Sequence, residues 1–146
     1  METIYDILKE EHDQMANLFQ QALRDGSKVT FLKIKLETDP HMMGEEKFFY
    51  PLLEGKEELH ELVSHAYEEH NEAKALISEL EYMDEINEKW TAKLSELKQS
   101  IDHHIEEEEG KVFEKARNAL SQEKAEEIAR LYIEFKRSYM NRIETE

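Results

Sequence analysis

Apolar residues recur along most of this chain at steps of three and four, the spacing that paints one face of an α-helix. Tyr5, Leu8, Met15, Phe19 and Leu23 mark a first helix over about Thr3 to Arg24, stopping near Asp25-Gly26-Ser27. A second begins near Val29 and runs towards Leu53. Pro40 lies inside it, so the spacing predicts either a kink there or a fresh start capped by Asp39. A third helix is expected over about Glu58 to Tyr82 and a fourth over about Glu88 to Asn118. Ser121 is a candidate cap for a fifth, over about 121–143, with Ile128, Leu131, Tyr132, Phe135 and Tyr139 on one face. Four long helices with short loops predict an all-α, antiparallel up-down-up-down four-helix bundle over about 3–118. The additional C-terminal helix is expected to close the core rather than to serve as a partner-binding surface. The whole, 1–146, is read as one domain.

Composition narrows the chemistry. Only 4 glycines and 2 prolines interrupt 146 residues, which agrees with long helices. The balance of 35 acidic against 19 basic residues gives a formal charge of -16, which disfavours nucleic acid and anionic membranes as partners and suits a metal ion. Cysteine is absent, so a metal would have to be held by nitrogen and oxygen. Neither a secretion signal nor an apolar run of membrane-spanning length is evident, and a cytoplasmic location is expected. No nucleophile constellation or glycine-rich phosphate loop points to a hydrolase.

One pattern occurs twice. His41-Met-Met-Gly-Glu45-Glu46 and His104-Ile-Glu-Glu-Glu108-Glu109 both read H-x-x-x-E-E, and residues four apart share a helix face. Upstream of each stands E-E-H, as Glu10-Glu11-His12 and Glu68-Glu69-His70, so the halves repeat and a pseudo-twofold bundle follows. His12, His70 and His104 fall in phase with apolar stripes. A single histidine there is ordinarily a hydrogen-bonded core residue, but four in register, two with a carboxylate one turn later, argue for ligation. Burying two carboxylates among four imidazoles is costly unless a cation joins them. His12, His41, Glu45, His70, His104 and Glu108 are therefore the expected metal ligands, around two ions that share the glutamates. Iron or manganese suits the mixed set, with zinc the commoner contaminant. His103, Glu106 and Glu107 are expected to face water, and His60 to be exposed. Glu46 and Glu109 stay open between solvent and a supporting role beside a bridging carboxylate.

On these residues the chain resembles the hemerythrin-like proteins of the HHE cation-binding type, over about residues 3 to 118. The resemblance implies a non-haem di-iron centre bridged by two carboxylates and an oxo or hydroxo group. His12, His41, His70 and His104 match its terminal ligands, and Glu45 and Glu108 its bridges. Oxygen-carrying hemerythrins have H-x-x-x-H in the third helix, whereas Ala66 and Lys74 flank His70 at four residues here. His65, about 140° round the helix, and Tyr67, on the correct side, are the candidates to complete the site, Tyr67 alternatively packing in the core or hydrogen bonding to a ligand. The expected function is binding or sensing of oxygen, nitric oxide or a reactive oxygen species, with a reductase as a candidate partner. The alternatives are iron handling or repair of damaged iron centres, and a purely structural metal. Ferritin-like sites want two E-x-x-H units on core faces, and only Glu57-Glu-Leu-His60 has that spacing.

Overall fold

The computed structural model describes residues 1–84 and 86–145; Glu85 and Glu146, inside the expected domain of 1–146, lie outside the described residues. Every regular element described is helical. The first is α1 (Ile4–Asp25) and the second α2 (Lys28–Gly44), which is prolonged by a π-helical turn, Glu45–Phe49, and a last α-helical turn, Tyr50–Leu53. Then come α3 (Glu57–Tyr82) and α4 (Glu88–Glu107), the latter prolonged by a second π-helical turn, Glu108–Val112, and by Phe113–Ala119. Last is α5 (Gln122–Thr145).

Local chemistry sets the ends. Thr3 and Asp6 form a reciprocal capping box at the start of α1, and Gly26 ends it at φ 59°, in the left-handed region that favours glycine. The Ser27 and Asn87 side chains accept from the first-turn amides of α2 and α4. Ser121 caps α5 by accepting from the Lys124 amide at 3.0 Å, as its sequence position suggests. Pro40 does not restart the second helix: α2 runs through it, and Asp39 lies within the helix rather than at its cap.

Neighbouring rods run in opposite directions. On α3 and α4, Glu79 pairs with Lys93 while Glu69, earlier on α3, meets His104, later on α4. Helix α5 lies across α1 and α2, where Tyr132 is wholly buried and the Phe135 ring meets Phe48 at 5.7 Å between centroids. Apolar side chains form two separate cores. One holds Leu8, Phe49, Val63 and Val112, the other Phe19, Ile34, Ile77 and Ile101. Each of the first four helices changes core midway along its length. The residues at the changeover are Glu11 and His12, His41 and Glu45, Glu69 and His70, and His104 and Glu108, all buried.

Candidate metal centre

The two cores leave a polar layer between them, and the six residues singled out from the sequence meet there. Glu45 Oε1 lies 3.3 Å from His41 Nε2 and 3.1 Å from His70 Nε2. Glu108 lies 3.3 Å from His12 Nε2 through Oε1 and 3.4 Å from His104 Nε2 through Oε2. Each carboxylate thus touches one imidazole from either half of the repeat. Two donor groups result, one of His12, His41, Glu45 and Glu108 and one of Glu45, His70 and His104, with ligand atoms of each within 4.8 Å of one another. The helical period accounts for the pairing, since His41 and Glu45, and His104 and Glu108, stand one turn apart.

All four imidazoles point Nε2 inward and anchor Nδ1 outward on a second carboxylate. His12 meets Glu109 at 2.6 Å, His41 meets Glu11 at 2.8 Å, His70 meets Glu46 at 2.7 Å and His104 meets Glu69 at 2.8 Å. A carboxylate on Nδ1 holds the proton there and leaves the Nε2 lone pair free to bind a metal. Both glutamates of each H-x-x-x-E-E unit are used: Glu45 and Glu108 face the layer's middle, while Glu46 and Glu109 orient imidazoles of the other half. Glu11 and Glu69, the second letters of each E-E-H, escaped the sequence reading. Their signal was the adjacency to His12 and His70, but each serves a histidine on the neighbouring helix, which one chain's periodicity does not reveal.

The π-helical turns begin at Glu45 and Glu108, the same place in each half. There the amide of Tyr50 donates to the Glu45 carbonyl and that of Phe113 to the Glu108 carbonyl, five residues apart. Such single turns are frequent at functional sites. In the second helix this places Tyr50 in the polar layer. Its hydroxyl donates to Glu108 Oε2 and lies 3.4 Å from His70 Nε2 and 3.5 Å from His104 Nε2. Of the two candidates to complete the site, neither is grouped with the buried donors, and Tyr67 takes the packing role that was also open to it. His65 is exposed on α3, and Tyr67 packs its ring against Tyr50 at 5.4 Å between centroids. Tyr50 was not found from sequence because five residues along an ideal α-helix turn through about 140°, away from Glu45.

Electrostatics in the layer are severe. Burial alone would push the His41 imidazole down, yet Glu45 and Glu11 hold it up at about 10. Burial likewise opposes charge on His104, which Glu108 and Glu69 nevertheless raise well above its ordinary value. Glu108 goes the other way: burial would raise it, and the neighbouring imidazoles His104 and His12 hold it well below the carboxylate range. Burial, Glu108 and Glu45 push Tyr50 far up. The residues present fit a metal: His12 Nε2, His41 Nε2, both Glu45 oxygens and Glu108 Oε1 are buried with no hydrogen-bond partner, and they converge. A small cavity opens beside the layer between Met15, Met42, Ala73, Ile101 and Ile105, with about 20 Å³ free, room for about one water-sized molecule.

A family model described as the hemerythrin HHE cation binding domain matches residues 3–116. Among solved structures, the chain superposes on a hemerythrin HHE cation binding domain-containing protein, an Rv2633c homolog from Mycobacterium kansasii, with a TM-score of 0.82 at 20% identity. The superposition covers 100% of this chain and 94% of the other. No curated protein matches the chain in sequence. Among the described residues, no helix is long and apolar enough to cross a membrane.

Proposed function

Since the chain belongs to the hemerythrin HHE cation-binding family, we propose that its polar layer holds a carboxylate-bridged pair of iron ions that binds or senses oxygen, nitric oxide or a reactive oxygen species. The observation that carries this reading is the orientation of four imidazoles, every Nε2 turned inward and every Nδ1 tied to its own carboxylate, around two glutamates with stranded oxygens. Bound there, two irons would supply one-electron redox chemistry and open coordination positions for a small ligand.

The chain's own residues divide the work. His12 and His41 would hold one ion, and His70 and His104 the other. Glu45 and Glu108, each touching both pairs, would bridge them. Tyr50 stands on the side of His70 and His104 only, and its pseudo-equivalent in the other half is Phe113, so the two positions differ in donor set. A phenol there can give up its proton and bind as a hard anionic oxygen, which favours a higher oxidation state. That asymmetry supports sensing or redox turnover over reversible carriage, since Ala66 and Lys74 occupy the places where carriers have a second histidine. The cavity beside the layer, lined by all four imidazoles as well as by apolar side chains, leaves room for one small molecule next to the donors.

Metal analysis of the aerobically purified protein tests the reading. About two irons per chain are expected, with near-ultraviolet absorption that changes on reduction, re-exposure to air and addition of nitric oxide. Less than about half an iron per chain after iron-supplemented growth, or zinc alone, would overturn it in favour of a structural metal.

A further inference from the structure

Two further H-x-x-x-E units lie towards the outer surface of the bundle, and of their four residues only Glu69 touches the buried centre, through its Oε1 on His104. His65 and Glu69 stand one turn apart on α3, and His103 and Glu107 one turn apart on α4. The antiparallel packing sets the pairs face to face. His65 Nε2 lies 3.3 Å from Glu69 Oε2 and 3.8 Å from Glu107 Oε1. His103 Nε2 lies 3.6 Å from Glu69 Oε2 and 3.8 Å from Glu107 Oε2. Ligand atoms at about 2.0–2.2 Å from one tetrahedral ion stand about 3.3–3.6 Å apart, so these spacings need little adjustment. Two neutral imidazoles and two carboxylates also balance a divalent charge.

We propose that His65, Glu69, His103 and Glu107 form a second, surface site for a first-row divalent cation, separate from the buried pair.

The internal repeat supplies independent support. Glu69 in the second half corresponds to Glu11 in the first, and both use Oε1 to anchor an imidazole of the centre. On Glu11 the other oxygen, Oε2, receives a cation: the Lys136 ammonium of α5, at 2.5 Å. Helix α5 packs chiefly on α1 and α2, the helices of that half. On Glu69 the side chain is just 8% exposed, yet Oε2 turns outward to the two imidazoles, which are 47% and 67% exposed. The positions matching His65, His103 and Glu107 in the first half are Ile7, Pro40 and Gly44, so the histidines occur only where α5 supplies no positive charge. Lys111 lines the clefts on both sides of Glu107, but no ion pair between them is formed. Imidazole with carboxylate suits zinc, iron(II) and manganese(II), and both imidazole side chains are exposed to solution.

The test is equilibrium dialysis of the metal-replete protein against Zn(II), with zinc and iron counted separately. Wild type should take up about one zinc per chain beyond the buried metal, and His65→Gln/His103→Gln should bind it at least about tenfold more weakly. Both should retain the same buried metal, which separates this result from any failure of the di-iron reading. His60→Gln, removing another exposed histidine, should bind as wild type does. Because both replaced side chains are exposed, folding should survive, and Glu107→Gln offers a second variant with the same expected weakening. No additional zinc on wild type, or equal affinity in wild type and the double variant, would overturn the proposal and leave four ordinary ion pairs.

Discussion

Glu11 reaches from α1 to His41 on α2 and holds its Nδ1 at 2.8 Å, while the same carboxylate accepts from Tyr132 and Lys136 of α5. One buried side chain therefore fixes a ligand's orientation and fastens the fifth helix. Its own acidity shows the balance: burial would raise it, but His41, Lys136 and Tyr132 bring it down to about 2. Glu11→Ala should weaken metal retention about 10- to 100-fold, as loss of a carboxylate behind a ligating imidazole commonly does. Competition with a chromophoric chelator measures it. Glu69→Ala should cost a similar factor through His104 but leave α5 docked, so protease cleavage within α5 should speed up only in the Glu11 variant.

The helical phase of the glutamate run sets a second prediction. Glu108 is buried and touches His12 and His104, whereas Glu106, two residues earlier, faces water. Glu108→Ala should lose most of its metal and Glu106→Ala none, by metal analysis after gel filtration. Equal loss in both would mean that the carboxylate acts through overall charge and not through ligation.

A third concerns the seat of α5. A Cβ built on Gly44 would collide with the Tyr132 ring, whereas one on Gly110 meets nothing within 4 Å. Gly44→Ala should destabilise by about 1–3 kcal/mol through overpacking. Gly110→Ala should be neutral or stabilising by up to about 1 kcal/mol, because alanine restricts the unfolded chain and favours the helix. Urea unfolding at fixed metal content compares them.

How far the sequence reached depended on whether a feature obeys the 3.6-residue period. The five helices, the Ser121 cap and the convergence of His12, His41, Glu45, His70, His104 and Glu108 follow from spacing within regular helix. Of the two outcomes open at Pro40, the fresh start capped by Asp39 does not occur. Loss of one amide donor is tolerated within α2, where the rest of the rod is held by packing on α1 and α5. Glu11 and Glu69 were invisible because their partners sit on another helix. Tyr50 was invisible because a π-helical turn changes the angular step exactly where the site lies, and no residue of Glu45–Phe49 announces it.

Tyr50 also gives the sharpest spectroscopic prediction. Its hydroxyl contacts Glu108, His70 and His104, and Phe113 takes the corresponding place in the other half, so a phenylalanine is sterically familiar to this fold. Tyr50→Phe should therefore fold and keep its iron, since His70, His104 and both glutamates remain. A phenolate bound to ferric iron gives a visible charge-transfer band, and that band should vanish in the variant while the near-ultraviolet absorption of the bridged pair persists. Loss of the band with unchanged iron assigns Tyr50 as a donor to one ion. Identical visible spectra in both proteins would instead assign its hydroxyl to Glu108, as a hydrogen-bond donor that steadies the bridge.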